Sequence, residues 1–207
     1  ESNYDSFYMA IRVTDKDGNT SVQTFHIYFA ANYAGKIKQE AIVSNVTSSN
    51  AYTKYSSFFN KVNVNNGIII PGLKSNMVPQ GMCKKGNYIY VSAYDSTDVD
   101  YSCVYVINAS TKLFEKTIWL KDNTNHVGGV TTNGDYLYMT CGSRIGIISL
   151  STINSASNDA EITPTYITIK NDANEAVRCS TCVYDSTRNY LWVGQFNENT
   201  GDHAYAY

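Results

Sequence analysis

The sequence is short of charge, of proline and of long apolar runs, and each shortage excludes something. Charged residues are 16% of its 207 positions, where about 25% is usual for a globular chain. Lysine and arginine number 16 against 18 acidic residues, for a net charge of −2. No basic stripe is present, so the electrostatic footprint of a nucleic-acid binder is missing. No stretch approaches the roughly 18 consecutive apolar residues of a membrane-crossing helix. There is no charged-then-apolar leader at Glu1 either. That start reads as a processed or trimmed terminus, so secretion has to be argued from domain type. Only three prolines occur.

What is abundant points one way. There are 18 tyrosines, and Asn, Ser and Thr are plentiful. Tyr and Thr favour strands, while Asn, Ser and Gly favour turns. Many short strands joined by polar turns are expected. The cysteines are Cys83, Cys103, Cys141, Cys179 and Cys182, an odd number. Cys179-Ser-Thr-Cys182 has CxxC spacing, but zinc would need two further ligands and no second Cys/His pair has finger spacing. A thioredoxin-like reading would need a βαβ context, which is absent. Buried thiols are the expected fate, with a disulfide as the alternative.

Three segments organise the chain. In residues 1–30 a period-2 strand around Tyr8 to Thr14 leads into Asp15-Lys-Asp-Gly-Asn19, and a second alternating strand runs from Val22 to Phe29. Gly18 suits a turn with positive φ. Asp15, Asp17 and Asn19 also imitate the opening of a calcium loop, but the twelfth position is His26 rather than Glu. Ile11 to Ser21 followed by Thr24 to Phe29 resembles the last two strands of a bacterial Ig-like domain. Residues 31–66 read as a linker with short helices, from Ala34 to Val46 and from Tyr52 to Val64.

Residues 67–207 contain a repeat. Val78-Pro-Gln-Gly-Met-Cys, Gly86-Asn-Tyr-Ile-Tyr-Val-Ser, Ser102-Cys-Val-Tyr-Val-Ile-Asn and Phe114 to Leu120 make one unit. His126-Val-Gly-Gly-Val-Thr, Gly134-Asp-Tyr-Leu-Tyr-Met-Thr, Ser143 to Leu150 and Pro164 to Ile169 make the next. Arg178 to Asp185, Asn189 to Phe196 and His203 to Tyr207 make a third. Units of about 40–50 residues with four short strands are propeller blades. The phrases Val78-Pro-Gln-Gly-Met82, Tyr90-Val-Ser-Ala-Tyr94, His126-Val-Gly-Gly-Val130 and Leu191-Trp-Val-Gly-Gln-Phe196 resemble bacterial secreted propellers, NHL, YncE-like and SMP-30-like in style. The expected fold is therefore all-β, a partial propeller of about three four-stranded blades behind an Ig-like hairpin. The third unit lacks an outermost strand. The remainder of the same polypeptide is expected to complete the ring, since propellers typically have 4–8 blades.

The resemblance implies a secreted or cell-surface module of a larger bacterial protein that binds a glycan, peptide or small molecule. The alternative is a propeller lactonase, lyase or glycan hydrolase with a metal in its channel. Blade-opening residues flank the channel, which selects Gln80, His126 and Arg178, with Glu175 and Asn125 nearby, as ligand-binding candidates. The bland reading is that Gln80 and His126 only tie neighbouring blades together. No residue is assigned a catalytic role, because carboxylates at these openings are scarce, and no metal ligand is assigned. Asp95, Asp98 and Asp100 form an acidic loop that reads as a solvated turn, with calcium as the cofactor it could hold.

Overall fold

The computed structural model describes residues 5–14, 20–29, 53–54, 56–59, 61, 68, 70–72, 75–196 and 204–207. Asp5–Thr14 (β1) and Thr20–Phe29 (β2) pair antiparallel from Asp5↔Phe29 to Thr14↔Thr20. Among the described residues they form a two-stranded sheet by themselves. The turn at 15–19 and the segment 34–46 lie outside the described residues. Ser56–Phe59 forms one short helix, α1, inside the Tyr52 to Val64 stretch.

Three sheets follow, each a meander. The first blade comprises Met77–Lys85 (β3), Tyr88–Asp95 (β4), Cys103–Asn108 (β5) and Phe114–Leu120 (β6). The second comprises Val130–Thr132 (β7), Tyr136–Cys141 (β8), Arg144–Ser149 (β9) and Thr165–Thr168 (β11). The third comprises Cys179–Asp185 (β12), Tyr190–Gln195 (β13) and Ala204–Ala206 (β14). Every neighbour within these meanders is antiparallel. The inner strands β3, β7 and β12 lie side by side across the stack. Three antiparallel sheets stacked face to face through their inner strands are consecutive blades of an open propeller.

The alternation of each strand feeds two cores. On β4 and β5, Tyr90, Val104 and Val106 face the second blade and join Leu137, Met139, Cys141 and Ile148. Val91, Ala93, Cys103, Tyr105 and Ile107 face the other way and are covered by Ile68 and Ile70. A third cluster joins Ile145 and Ile169 to Val177, Cys179, Cys182 and Val193 between the second and third blades. Each large apolar side chain so buried is worth about 1.5–3 kcal/mol. A sheet apolar on both faces needs a neighbour on each side, which explains the stacking.

One element departs from the four-strand template. After β9 the chain forms a short helix, Leu150–Ser155 (α2), whose N-cap Ser149 accepts a hydrogen bond from the Thr152 N–H. Ala160–Ile162 (β10) then pairs parallel with β6, so the first blade gains a fifth strand from the second. Lys116 on β6 donates to the carbonyls of Ile153, Asn154 and Ala156 at 3.3, 3.1 and 2.6 Å. Asn158 Oδ1 accepts from the Thr117 N–H at 2.9 Å, and Trp119 Nε1 donates to Asp159. No hydrophobic period announces this strap; its side chains are mostly Ser, Thr, Asn and Ala.

Candidate functional site

The site begins with a β-bulge. Pro79 pairs with Ala93 and Gly81 with Ser92, which leaves Gln80 as the extra residue on β3. A bulge bends its strand and re-aims a side chain. Here the Gln80 amide turns onto the second blade. Its Oε1 accepts the Val127 N–H at 2.8 Å, and its Nε2 lies 2.7 Å from His126 Nδ1. The Val127 donor fixes which end of the amide is oxygen. An amide nitrogen can only donate, so Nδ1 accepts and the imidazole proton sits on Nε2. Tyr94 stacks on the His126 ring, centroids 3.8 Å apart and planes at 27°.

Ser92 completes the joint. Its buried hydroxyl donates to the Val127 carbonyl at 2.6 Å and accepts the Gly81 N–H at 3.1 Å. Both backbone groups of Val127 are thus held by first-blade side chains. Thr140 occupies the matching place in the second blade and accepts the Gly129 N–H at 2.8 Å.

Close backbone approach explains the glycines. A Cβ on Gly81 would stand 2.7 Å from the Gly128 carbonyl oxygen, and one on Gly129 would stand 2.7 Å from the Thr181 carbonyl carbon. Only glycine allows inner strands to meet this tightly.

The pairing corrects the alignment of the blade openings. Gly81 faces Ser92, Gly129 faces Thr140 and Thr181 faces Gly194. Counting back, Gln80 matches Gly128 and Ser180, while His126 matches Val78 and Arg178. The apparent register, with Gln80 opposite His126 and Arg178, was therefore out by two positions at Gln80. Gln80 and His126 therefore meet as an interblade pair rather than as rotational equivalents. Arg178 is not brought to them. Its guanidinium lies 5.1 Å from the centroid of Phe196, and its carbonyl accepts the Phe196 N–H at 2.9 Å. Glu175 sits in the exposed turn leading to β12 and accepts from Asn171 Nδ2 at 3.1 Å. Asn125 is exposed; its carbonyl accepts from the Ser102 hydroxyl at 2.6 Å. Sequence reasoning missed Ser92, although it lies in the recognisable phrase Tyr90-Val-Ser-Ala-Tyr94; its signal is one small polar residue in the middle of the second strand, β4.

In the acidic loop Asp95 is buried, and its carboxylate accepts from the N–H groups of Thr97, Val99 and Asp100 and from the Thr97 hydroxyl. Hydrogen bonds from Asp100 and Thr97 hold its pKa down to about 2. Its oxygens organise the turn. All five cysteines are free thiols. Burial pushes Cys83, Cys103, Cys141 and Cys182 up to about 12 and Cys179 up to about 11. A bulge between Cys179 and Thr181 brings Cys179 and Cys182 onto one buried face despite their odd spacing. Among the described residues no group of three His, Cys, Asp or Glu side chains is placed to hold a metal.

No family model matches the chain, and no curated protein matches it. Among solved structures it is similar to the β-propeller domain of Cps50 (Swd1) from Myceliophteria thermophila, at 8% identity and a TM-score of 0.45. The match covers 96% of this chain and 53% of that one, so the chain spans about half of the domain it resembles. The blade assignment rests on the strand pairing and the interblade contacts.

Proposed function

We propose that this propeller is a ligand-binding module, without catalytic activity, of a secreted or cell-surface bacterial protein, and that its ligand meets the Gln80–His126–Tyr94 cluster at the inner-strand ends. The observation that carries the reading is the orientation of the imidazole. In a general-base histidine, Nδ1–H is held by an acceptor so that Nε2 stays free to take a proton. Gln80 does the reverse: it donates to Nδ1 and leaves the proton on Nε2. His126 is exposed, so it offers a hydrogen-bond donor beside an aromatic face. That combination suits a hydroxyl- or carbonyl-bearing ligand such as a glycan or peptide. Extracellular residence and the Ig-like spacer are supported by the sequence resemblance alone. Protonated, buried thiols are compatible with an oxidising compartment, because the thiolate is the reactive form.

The test is a panel of immobilised glycans and peptides probed with the protein. His126→Ala and Tyr94→Ala should each weaken the binding found while keeping the parent's far-UV circular dichroism and a single cooperative unfolding transition, lowered by the loss of the ring stacking. Retained binding in both variants would overturn the proposed site. Substrate turnover by the parent that His126→Ala abolishes would favour the enzyme reading instead.

A further inference from the structure

The blades repeat not only their strands but the side chains they turn toward the next blade. Strand pairing sets the equivalences: Cys83 faces Tyr90, Thr131 faces Tyr138 and Val183 faces Trp192. One pleat further out stand Tyr88, Tyr136 and Tyr190. In the first blade this face is covered. Tyr90 is 1% exposed, and Cys83 and Tyr88 pack with it against the second blade. In the second blade its inner positions are covered again, while Tyr136 at the outer edge stays 45% exposed. Tyr138 packs on the third-blade cluster and stacks on Tyr184, and the Thr131 hydroxyl accepts the Tyr184 N–H at 3.1 Å. In the third blade the inner positions lie open, with Val183 57% and Trp192 37% exposed.

We infer that the Val183–Trp192 face is a docking surface for a further blade of the same repeat carried on the same polypeptide. The existing interfaces identify the occupant, since each of the two covers these positions with the inner and second strands of the following sheet. A second copy of this chain does not fit the repeat head to tail. The sheet face it would offer, built from Val91, Ala93, Cys103, Tyr105 and Ile107, is already buried beneath Ile68 and Ile70. The open face also sets a condition on its partner. Where the first two blades have Gly81 and Gly129, the third has exposed Thr181. The arriving inner strand must therefore stand off by one side chain and be small at the residue opposite Thr181.

Hydroxyl-radical footprinting read by mass spectrometry tests this without any substitution. It is run on residues 1–207 alone and on the natural gene product that contains them. Trp192 should be oxidised readily in the first and lose labelling several-fold in the second. Tyr90, already covered, should be protected in both. Equal labelling of Trp192 in the two proteins would overturn the inference. So would protection in residues 1–207 that grows with protein concentration, which would assign the face to a second copy. Trp192→Lys gives an independent readout: it should lower the unfolding midpoint of the gene product and leave that of residues 1–207 nearly unchanged. An equal loss in both would also count against the inference. None of these outcomes depends on whether His126 binds a ligand.

Discussion

Replacing Lys116 with Met isolates the joint between the first blade and the strap from the second. The ammonium donates to three carbonyls, of Ile153, Asn154 and Ala156. These carbonyls lie at the end of α2, where the last turn leaves acceptors without intrahelical partners. Met keeps most of the apolar stem and removes the charge. A hydrogen bond to a charged group is worth about 1.5–3 kcal/mol. A cation at a helix end adds about 0.3–1 kcal/mol. Only the 2.6 Å contact is short, and Lys116 remains partly solvated, so the sum should fall near the lower end, about 2 kcal/mol. In a chain of this size 1 kcal/mol moves the midpoint by about 2–4 °C, which gives a loss of roughly 4–8 °C by calorimetry or circular dichroism. Lys121→Met is the control. Its bridge to Glu161 spans 3.6 Å between side chains that are 49% and 52% exposed, and such pairs contribute about 0–1 kcal/mol. If Lys116→Met costs no more than Lys121→Met, the strap is not a clamp and the reasoning fails.

Two further outcomes follow from the inner strands and the acidic loop. Gly129→Ala drives a methyl group into the backbone of Thr181 and Cys182, so it should destabilise by about 1–3 kcal/mol as overpacking does, whereas Gly86→Ala, which meets nothing within 4 Å, should show only the strain of its positive φ; equal midpoints for the two would refute the crowding. Asp95 has a folded pKa lowered to about 2 from 3.8, so its stabilisation is complete above the unfolded value and is lost as pH falls through the folded one. Parent stability should therefore drop between about pH 4 and pH 2 by a step that Asp95→Asn lacks; identical acid profiles would contradict the hydrogen-bonded turn.

Most of the blade architecture was legible in the sequence, and for a physical reason. Tyr-x-Tyr strands and Gly/Asn turns recur at blade spacing because each sheet must bury both faces against a near copy of itself. The candidate site was only half legible. Gln80 and His126 stand at different register positions, and they meet because the bulge at Gln80 turns its side chain onto the second blade. Arg178 occupied a true equivalent of His126, but its own blade supplies Phe196 where the second blade has Gly142, and the guanidinium settles there. The strap from α2 to β10 gave little signal: Leu150 and Ile153 join the core, but most of its residues are polar and are tied by hydrogen bonds to β6 residues about 40 positions away.

That distance bears on the order in which the protein can form while it is being made. When β6 leaves the ribosome it is the bare margin of the first sheet, a template for unwanted pairing. Its cover, β10, belongs to a stretch in which Asp159 trails Trp119 by 40 residues. At about 5–20 residues per second the gap lasts roughly 2–8 s. During that window the nascent first sheet has its own four strands but no cover along β6, so that margin stays open while β7, β8 and β9 emerge and closes only when β10 arrives, well before the chain's release.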